Sequence, residues 1–512
     1  MCATKAEEYK PVLTKETINP LVLEAKYAVR GRIPSRADEI QSEIDSGEKS
    51  KWPFEKVIYC NIGNPQQLEQ EPLTFYRQVC ALVVYPKLLK DPHVGEIFPV
   101  DVRERAQYII DHTPGGIGAY SKSQGLEFVR KDVADFIGKR DGFPCSARSI
   151  FLTQGASPGI QTIMNVFIRK PTDGCLVPTP QYPLYSGSLA LYGGRRVPYF
   201  LDEKTGWSLS VAEMKRSLDS AKEFGIETRA IVVINPGNPT GACLTEQNIL
   251  DILRFARREH LIVMADEVYQ KNIYRKEEKP FISFRQVLLK NEAELKGLEL
   301  VSFNSISKGF MGECGIRGGY FQMENVDEEV QQELVKLASL SLCPNLMGQV
   351  IVDLMVKPPA ESEPSYELYQ KESGDILRSL ANRARRLSEM LDNLPCCSCQ
   401  TIESSLYAFP QIFLPPKFIE EAQQKGIDPD EYYCLSLIEK QGLCIVPGSG
   451  FEQEKGTHHA RITILPPENQ FDAIISKFAL HHEQMLKEYA TPEWIDTIEK
   501  EKKRVKEEFT KK

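Results

Sequence analysis

One lysine stands in a setting that could make its amine chemically useful. Lys308 lies in the segment Ser305-Ile306-Ser307-Lys308-Gly309, directly after an apolar run that ends at Phe303. An amine attacks carbonyl groups well when desolvation or neighbouring cations lower its pKa. The end of a buried strand can supply such a setting. An exposed loop lysine would show the same local sequence, so the interpretation depends on other segments.

An acidic segment could hold a cationic ring. Asp266-Glu267-Val268-Tyr269 follows the apolar run Leu261–Ala265. A carboxylate buried at the end of a strand needs a partner. The protonated nitrogen of a heterocycle is one such partner, and the phenol of Tyr269 could contact the same ring. A metal-binding carboxylate or a helix N-cap would give the same pattern.

Two turn segments supply groups that could orient a ring and bind an anion. Asn235–Gly241 (NPGNPTG) contains two Asn-Pro steps and two glycines, which predict an irregular turn that fixes the Asn238 amide. Gln154–Gly159 (QGASPG) lies where a strand should lead into a helix, so backbone N–H groups near Ala156 and Ser157 could bind an anion. Either segment alone also fits an ordinary loop.

The elements that position these segments alternate between strands and helices. Helices are predicted from Ser157 to about Ile168 and from Thr245 to His260, with Thr245 as the N-cap of the second. This alternation predicts an open α/β fold with a mostly parallel sheet, where ligands bind at the carboxyl ends of the strands. The predicted strands are Arg148–Thr153, Gly174–Pro178, Arg195–Phe200, Arg229–Asn235, Leu261–Ala265 and Glu299–Phe303.

A second, smaller domain is predicted from the remainder of the chain. Lys357–Ser373 is rich in Pro, Glu and Ser and indicates a connection, followed by a long helix over Gly374–Leu394. Three apolar runs then predict strands in an α+β domain: Leu406–Leu414, Gly442–Val446 and Ala460–Leu465.

Bulk properties exclude several classes of protein. The chain has 512 residues and a net charge of −8, which argues against nucleic acid or anionic membranes as partners. The first thirty residues contain four glutamates and no apolar core, so we expect no secretory signal and a cytoplasmic location. The thirteen cysteines include a CxxC spacing at Cys396–Cys399 but lack a second ligand pair. We therefore expect reduced thiols and no metal site.

Taken together, the segments resemble a known family. The glycine turn, Asn-Pro-x-Gly, Asp-x-x-Tyr and Ser-x-x-Lys occur in the order typical of fold-type I aminotransferases, with 28 residues from Asn238 to Asp266. Ser307–Tyr320 (SKGFMGECGIRGGY) is similar to the signature of the alanine aminotransferases. The resemblance covers about residues 20–490, and further similar blocks are Tyr27–Pro34, Tyr59–Pro65, His112–Arg130 and Val446–Phe451.

The resemblance implies pyridoxal 5'-phosphate (PLP) as the cofactor. Lys308 would hold it as an internal Schiff base, Asp266 would face the ring nitrogen, and Tyr269 would reach the phenolic oxygen. The arginine nine residues after the lysine, Arg317, would bind the phosphate. The remaining residues of the implied cofactor site are Ala156, Ser157, Tyr182, Asn238, Ser305 and, from a neighbouring subunit, Tyr120.

The resemblance also implies a substrate site and a domain plan. Arg461 would bind the substrate carboxylate, together with Gly63, Tyr182 and Asn238. Since Tyr120 would act across an interface, a homodimer is the implied working unit. The implied fold is a large PLP-binding domain with a seven-stranded, mostly parallel sheet and a smaller α+β domain. The predicted division is an N-terminal arm (1–50), a first small-domain part (51–110), the large domain (111–356), the second small-domain part (357–490) and a charged helical tail (491–512).

The implied reaction is transamination between L-alanine and 2-oxoglutarate, which gives pyruvate and L-glutamate. Three alternatives stay open: a related aminotransferase that prefers glyoxylate or another keto acid, a PLP-dependent lyase or synthase, and a silent PLP-fold regulator. The sequence departs from the family pattern where Glu69 and Glu452 replace glycines, Ala460 replaces an aromatic residue and Ser404–Ser405 replaces a glycine-containing turn. These departures affect the expected substrate preference and rate.

Overall fold

The structure of the chain, a computed structural model, describes residues 12–25, 31–48 and 51–510. The first part of the similar block Tyr27–Pro34 lies outside these ranges. Within them, none of the helices combines the length and the apolar character needed to cross a bilayer.

A seven-stranded sheet forms the centre of the large domain. The strands of the described residues, in this sheet and outside it, are β1 (Ile58–Tyr59), β2 (Ile150–Thr153), β3 (Asp173–Thr179), β4 (Arg195–Phe200), β5 (Glu227–Ile234), β6 (Ile262–Asp266), β7 (Leu300–Ser305), β8 (Gly319–Glu324), β9 (Cys397–Ser398), β10 (Tyr407–Ala408), β11 (Gln411–Ile412), β12 (Leu443–Cys444), β13 (Val446–Pro447) and β14 (Ala460–Thr463). The order in the seven-stranded sheet is β2-β8-β7-β6-β5-β3-β4, and β8 alone runs antiparallel to its neighbours. The six strands predicted for the large domain are confirmed, whereas the pattern did not locate β8.

The helices cover the sheet and build the rest of the molecule. They are α1 (Pro20–Glu24), α2 (Arg32–Asp45), α3 (Thr74–Val84), α4 (Val94–Ile97), α5 (Val100–Asp111), α6 (Glu127–Asp141), α7 (Ala156–Phe167), α8 (Leu184–Leu191), α9 (Val211–Glu223), α10 (Glu246–Arg258), α11 (Phe284–Lys290), α12 (Glu292–Leu295), α13 (Glu328–Ser339), α14 (Leu346–Val356), α15 (Tyr366–Asn393), α16 (Pro416–Gln424), α17 (Pro429–Gln441), α18 (Glu468–Tyr489) and α19 (Pro492–Thr510). The predicted cap of α10 is confirmed, because Thr245 and Asn248 form a reciprocal capping box.

Both faces of the sheet are buried by helices, and alternate side chains of each parallel strand pack on opposite faces. In β5, Ile231 and Val233 pack with α9, α10 and α11, while Ala230 and Val232 pack on the other face with α7, α8 and α13. Successive strand residues point to opposite faces, so a strand covered on both sides must be apolar throughout. This explains the continuous apolar runs and leaves the strand ends as the exposed edge where a ligand can bind.

The smaller domain has shorter strands than the sequence predicted. Leu406–Leu414 contains β10 and β11, and Gly442–Val446 contributes β12 and the start of β13, each of two residues. The long helix α15 begins at Tyr366 instead of Gly374, so the predicted connection was wrong for these residues. The earlier start is stabilised because Tyr369 is buried against Tyr76 and Phe75.

The N-terminal segments contribute to two different cores. Helix α2 and residues 54–60 pack with the smaller domain, where β1 pairs in parallel with β12. Residues 73–109 pack with α6, β2 and α14 beside the large sheet. The domain boundaries at 50, 110, 356 and 490 stay a prediction.

Candidate active site

A cavity of about 430 Å³ opens at the carboxyl ends of the sheet strands, between the two domains. Eleven of the twelve predicted site residues line it: Gly63, Ala156, Ser157, Tyr182, Asn238, Asp266, Tyr269, Ser305, Lys308, Arg317 and Arg461. Tyr120 is not among them, and its side chain is 77% exposed. Residues from the glycine turn, the Asn-Pro turn, the acidic segment, the lysine segment and the smaller domain therefore meet in one place.

Lys308 projects into this cavity from the segment that follows β7. Its Nζ donates a hydrogen bond to the backbone oxygen of Gly63, at 2.7 Å. Cys314 lies beside it, with Sγ 3.1 Å from the backbone oxygen of Ser307. The amine is thus held at the junction between the two domains, since Gly63 follows β1 of the smaller domain.

Asp266 is the last residue of β6, and its side chain is buried. The hydroxyl of Tyr185, from α8, donates to Asp266 Oδ2 at 2.7 Å, and the backbone N–H of Val268 lies 3.4 Å from Oδ1. Burial raises the pKa of Asp266, against the lowering effect of these hydrogen bonds and of the Lys308 charge. A cationic group placed at this carboxylate would be strongly favoured.

A chain of contacts joins the smaller domain to the Asn-Pro turn. Arg461 Nη1 donates to Asn238 Oδ1 at 3.2 Å, and Nη2 donates to the backbone oxygen of Asn61 at 2.5 Å. The Asn238 amide in turn lies 3.5 Å from the Tyr269 hydroxyl. Arg461 is almost completely buried, and its Nε has no hydrogen-bond partner in the structure. A buried guanidinium with free donor capacity is suited to an anionic ligand group.

The N-terminus of α7 forms an anion site with Arg317. The helix begins at Ala156, so the N–H groups of Ala156 and Ser157 are free of intrahelical bonds. Gly155 has a φ of 92°, and a Cβ on it would lie 2.5 Å from the Arg317 guanidinium, so only glycine fits there. Arg317 Nη1 donates to the backbone oxygen of Cys314 at 2.9 Å, which fixes the guanidinium beside the helix end.

The backbone shows why glycine is expected at three of the positions that depart from the family pattern. Glu69, Ser405 and Glu452 have φ values of 66°, 62° and 58°, the left-handed region that favours glycine. Glu69 Oε1 accepts from Gln470 at 3.1 Å, and Glu452 forms an ion pair with Arg196. These contacts offset part of the strain of placing a side chain where a glycine fits best.

Two tyrosines of the site were not predicted from the sequence. Tyr185 binds Asp266, and Tyr407 lines the cavity beside Lys308 and Arg461. Both lie in apolar stretches where a tyrosine is an ordinary core residue. The available signal was the segment YPLY, in which Tyr185 follows Tyr182 by three residues and lies in the first turn of α8.

Comparison with known proteins extends this description. The sequence profile described as Aminotransferase class I and II matches residues 95–478. The probable mitochondrial alanine aminotransferase of Dictyostelium discoideum is 47% identical over 485 residues, which cover 94% of this chain and 91% of the relative. Glutamate–glyoxylate aminotransferase 2 of Arabidopsis thaliana is 47% identical over 479 residues, covering 93% and 97%. A solved structure of alanine aminotransferase from Pyrococcus furiosus has a TM-score of 0.70 at 23% identity, covering 91% of this chain and 99% of that chain.

Fold and family together define a PLP-dependent enzyme of fold-type I. The chain belongs to the aminotransferase class I and II family. The residues present fit the cofactor on structural grounds. The N-terminus of α7 with Arg317 suits a phosphate, and the buried carboxylate of Asp266 suits a protonated ring nitrogen. Lys308 lies in the same cavity as both.

Proposed function

We propose that this aminotransferase transfers the amino group of L-alanine to 2-oxoglutarate, yielding pyruvate and L-glutamate in a ping-pong cycle. The observation that carries the proposal is the buried Arg461 guanidinium in the same cavity as the Lys308 amine. This pair provides a cation for the α-carboxylate and a base for the α-carbon of an amino acid. Relatives named alanine aminotransferase are 44–47% identical over most of the chain.

The proposed division of labour follows from the positions of the side chains. PLP supplies an electron-withdrawing ring that accepts the electron pair of the substrate α-carbon. Asp266, buried and hydrogen-bonded by Tyr185, would face the ring nitrogen with its negative charge. Lys308 Nζ would take the proton from the substrate α-carbon and deliver it to the cofactor, a transfer worth about 10²–10⁴-fold.

The remaining residues bind and orient. The N–H groups at the start of α7 and Arg317 would hold the phosphate, with Ser157 and Ser305 beside them. Tyr182, which lines the cavity, would stack on the ring, and Asn238 with Tyr269 would orient its phenolic oxygen.

The substrate side of the cavity is shared between the domains in this proposal. Arg461 grips the α-carboxylate with its planar fork, and Gly63 leaves room for that carboxylate. A homodimer completes the site, with Tyr120 of each subunit reaching the phosphate bound by the other. A cytoplasmic location stays a prediction, and some relatives are named mitochondrial.

A second acceptor is favoured by a specific finding. Two relatives from Arabidopsis thaliana, 46–47% identical to this chain, are named glutamate–glyoxylate aminotransferases. Glyoxylate is therefore the second candidate acceptor for the amino group of alanine. The ratio of kcat/KM for 2-oxoglutarate and glyoxylate decides which of the two acceptors the enzyme prefers.

The decisive experiment is a coupled assay for pyruvate release from L-alanine and 2-oxoglutarate with PLP-loaded protein. The parent should release pyruvate, and Lys308→Ala should lose at least about 100-fold in turnover because one amine carries the proton. Lys276→Ala, which removes an exposed lysine of the same charge, is the matched control and should behave like the parent. Near-parent turnover by Lys308→Ala, or no pyruvate from the parent, would contradict the proposal.

A further inference from the structure

Tyr407 lies between the two groups on which the proposed reaction depends. It is the first residue of β10, is 2% exposed, and lines the cavity with Lys308 and Arg461. We propose that Tyr407 is a positioning residue with two separable functions: its ring orients Arg461, and its hydroxyl oxygen faces the amine of Lys308. The inference rests on the proposed roles of Lys308 and Arg461 and adds a residue to that site.

The ring function follows from the packing of the arginine. The Arg461 guanidinium carbon lies 4.2 Å from the centroid of the Tyr407 ring and 4.5 Å from that of Phe451. The guanidinium is therefore held by two aromatic rings, while its Nη atoms donate to Asn238 and to the Asn61 backbone. Such cation–π contacts are strongest where water is excluded. The rings set the orientation of the fork that must meet a carboxylate.

The location of Tyr407 is itself fixed by the sheet of the smaller domain. β10 pairs antiparallel with β14, and Tyr407 lies opposite Thr463, two residues after Arg461. β14 also pairs with β13, where Val446 lies opposite Arg461. The arginine and the tyrosine thus come from neighbouring, hydrogen-bonded strands, so a shift of one would displace the other.

The hydroxyl function follows from the atoms around it. The Tyr269 hydroxyl donates toward Tyr407 Oη at 3.5 Å, which leaves Tyr407 as the acceptor of the pair. A Cβ added to Gly63 would clash with Tyr407 Oη and would lie 3.0 Å from Lys308 Nζ. The hydroxyl and the amine therefore flank the same small space. A glycine is required at position 63 because the Tyr407 hydroxyl occupies the space that a Cβ would need.

The charges nearby favour an electron-rich oxygen. Burial raises the pKa of Tyr407, but the Lys308 and Arg461 charges and the Tyr269 hydrogen bond together bring it below its ordinary value. Burial raises the pKa of Tyr269 well above its usual range. Since the Tyr269 hydroxyl is the donor of the pair, the Tyr407 oxygen is left to face the Lys308 amine as an acceptor.

The test separates the two functions with conservative variants of the PLP-loaded protein. Tyr407→Phe keeps the ring, so KM for alanine should stay within about 2-fold while kcat falls roughly 10-fold, as for a lost hydrogen bond to a charged group. Phe451→Leu removes the other ring only, so KM should rise about 2- to 30-fold with kcat retained. Tyr407→Leu should combine both effects.

A second measurement does not depend on turnover. In the PLP-free protein, an alkaline titration followed by phenolate absorbance should show one tyrosine that ionises below the ordinary value of about 10. That component should be missing from Tyr407→Phe and present in Phe451→Leu. Its loss assigns the low-pKa phenol to Tyr407.

Different outcomes overturn the hydroxyl function and the ring function of Tyr407. An unchanged kcat together with an unchanged absorbance titration for Tyr407→Phe overturns the hydroxyl function. An unchanged KM in both Phe451→Leu and Tyr407→Leu overturns the ring function. If Tyr407→Leu does not fold, Tyr407→Phe still decides the hydroxyl function, and an unchanged KM in Phe451→Leu alone overturns the ring function. Failure of the proposed function would show instead as no pyruvate from the parent, and the titration would still report on Tyr407.

Discussion

Asp266 shows how a single carboxylate can be prepared for a cationic ring. It ends β6 in a fully apolar strand, and Tyr185 donates to its Oδ2 at 2.7 Å. The tyrosine holds Oδ2 in place, and the Val268 N–H lies 3.4 Å from Oδ1, so the carboxylate is fixed at the edge of the cavity. Burial raises the Asp266 pKa, so the negative charge depends on a cationic partner once the cofactor is bound.

Replacing that charge should damage catalysis more than folding. In Asp266→Asn the amide keeps the size of the side chain but cannot hold the ring nitrogen protonated. Turnover should fall at least about 10- to 150-fold, the equivalent of one hydrogen bond to a charged group. Steady-state kinetics and an unfolding curve on the same preparation check this.

Tyr185→Phe is the companion variant. It removes the donor and leaves the carboxylate charge, so its turnover should lie between those of the parent and Asp266→Asn. An Asp266→Asn enzyme with parental turnover would remove Asp266 from the site.

The sequence was informative at this scale wherever a residue sits in a strand-end motif. Asp266, Lys308 and Asn238 follow apolar runs at characteristic spacings, so their convergence could be predicted from a parallel sheet. Tyr185 and Tyr407 could not be predicted, because tertiary packing places Tyr185 of α8 against Asp266 and Tyr407 of β10 at the cavity. Their sequence neighbours are ordinary core residues.

At the scale of elements, the charged tail forms the helix α19. Lys502 is 8% exposed, and its Nζ donates to the backbone oxygens of Asp392 and Leu394 at 2.7 and 3.0 Å. Those carbonyls end α15, where a cation also complements the helix dipole. Glu499 accepts from the Cys396 N–H at 2.7 Å on the same side. The tail therefore stabilises the C-terminal end of the longest helix.

Removing the Lys502 charge should lower stability. Lys502→Met keeps most of the apolar stem but leaves two carbonyls without their donor. The free energy of unfolding should fall by about 1–3 kcal/mol. Lys503→Met, at an exposed neighbouring residue, removes the same charge and is the control. Urea unfolding of both variants measures the difference, and equal stabilities would show that Lys502 contributes no more than a surface lysine.

Helices and strands could be predicted where their own residues carry the signal. The capping box of α10 and the buried runs β3 to β7 carry local signals. β8 (Gly319–Glu324) was not located because it begins within the lysine-to-arginine signature and includes Gln322 and Glu324, so no continuous apolar run marks it. α15 starts early because Tyr369 packs against α3, a contact that the Pro- and Glu-rich sequence before it does not reveal.

At the scale of the whole molecule, the position of Tyr120 bears on whether two subunits share each active site. It lies between α5 and α6 as a residue that is 77% exposed, outside the cavity that the other predicted residues line. In the proposed homodimer each subunit lends this phenol to the site of its partner. A two-fold interface of this kind makes the two sites equivalent, so each would need residues from both chains.

Mixing two inactive variants tests this arrangement. Lys308→Ala lacks the amine, and Tyr120→Ala lacks the phenol that its partner needs. In a mixed dimer, one site pairs the intact lysine with the intact tyrosine and the other site carries both defects. Refolding the two variants together at equal amounts should restore about a quarter of the parent activity, since half of the dimers are mixed and each has one intact site. Refolding each variant alone is the control and should restore none of it. If Tyr120→Ala alone is as active as the parent, or if mixing gives no gain although sedimentation shows mixed dimers, Tyr120 does not act across the interface.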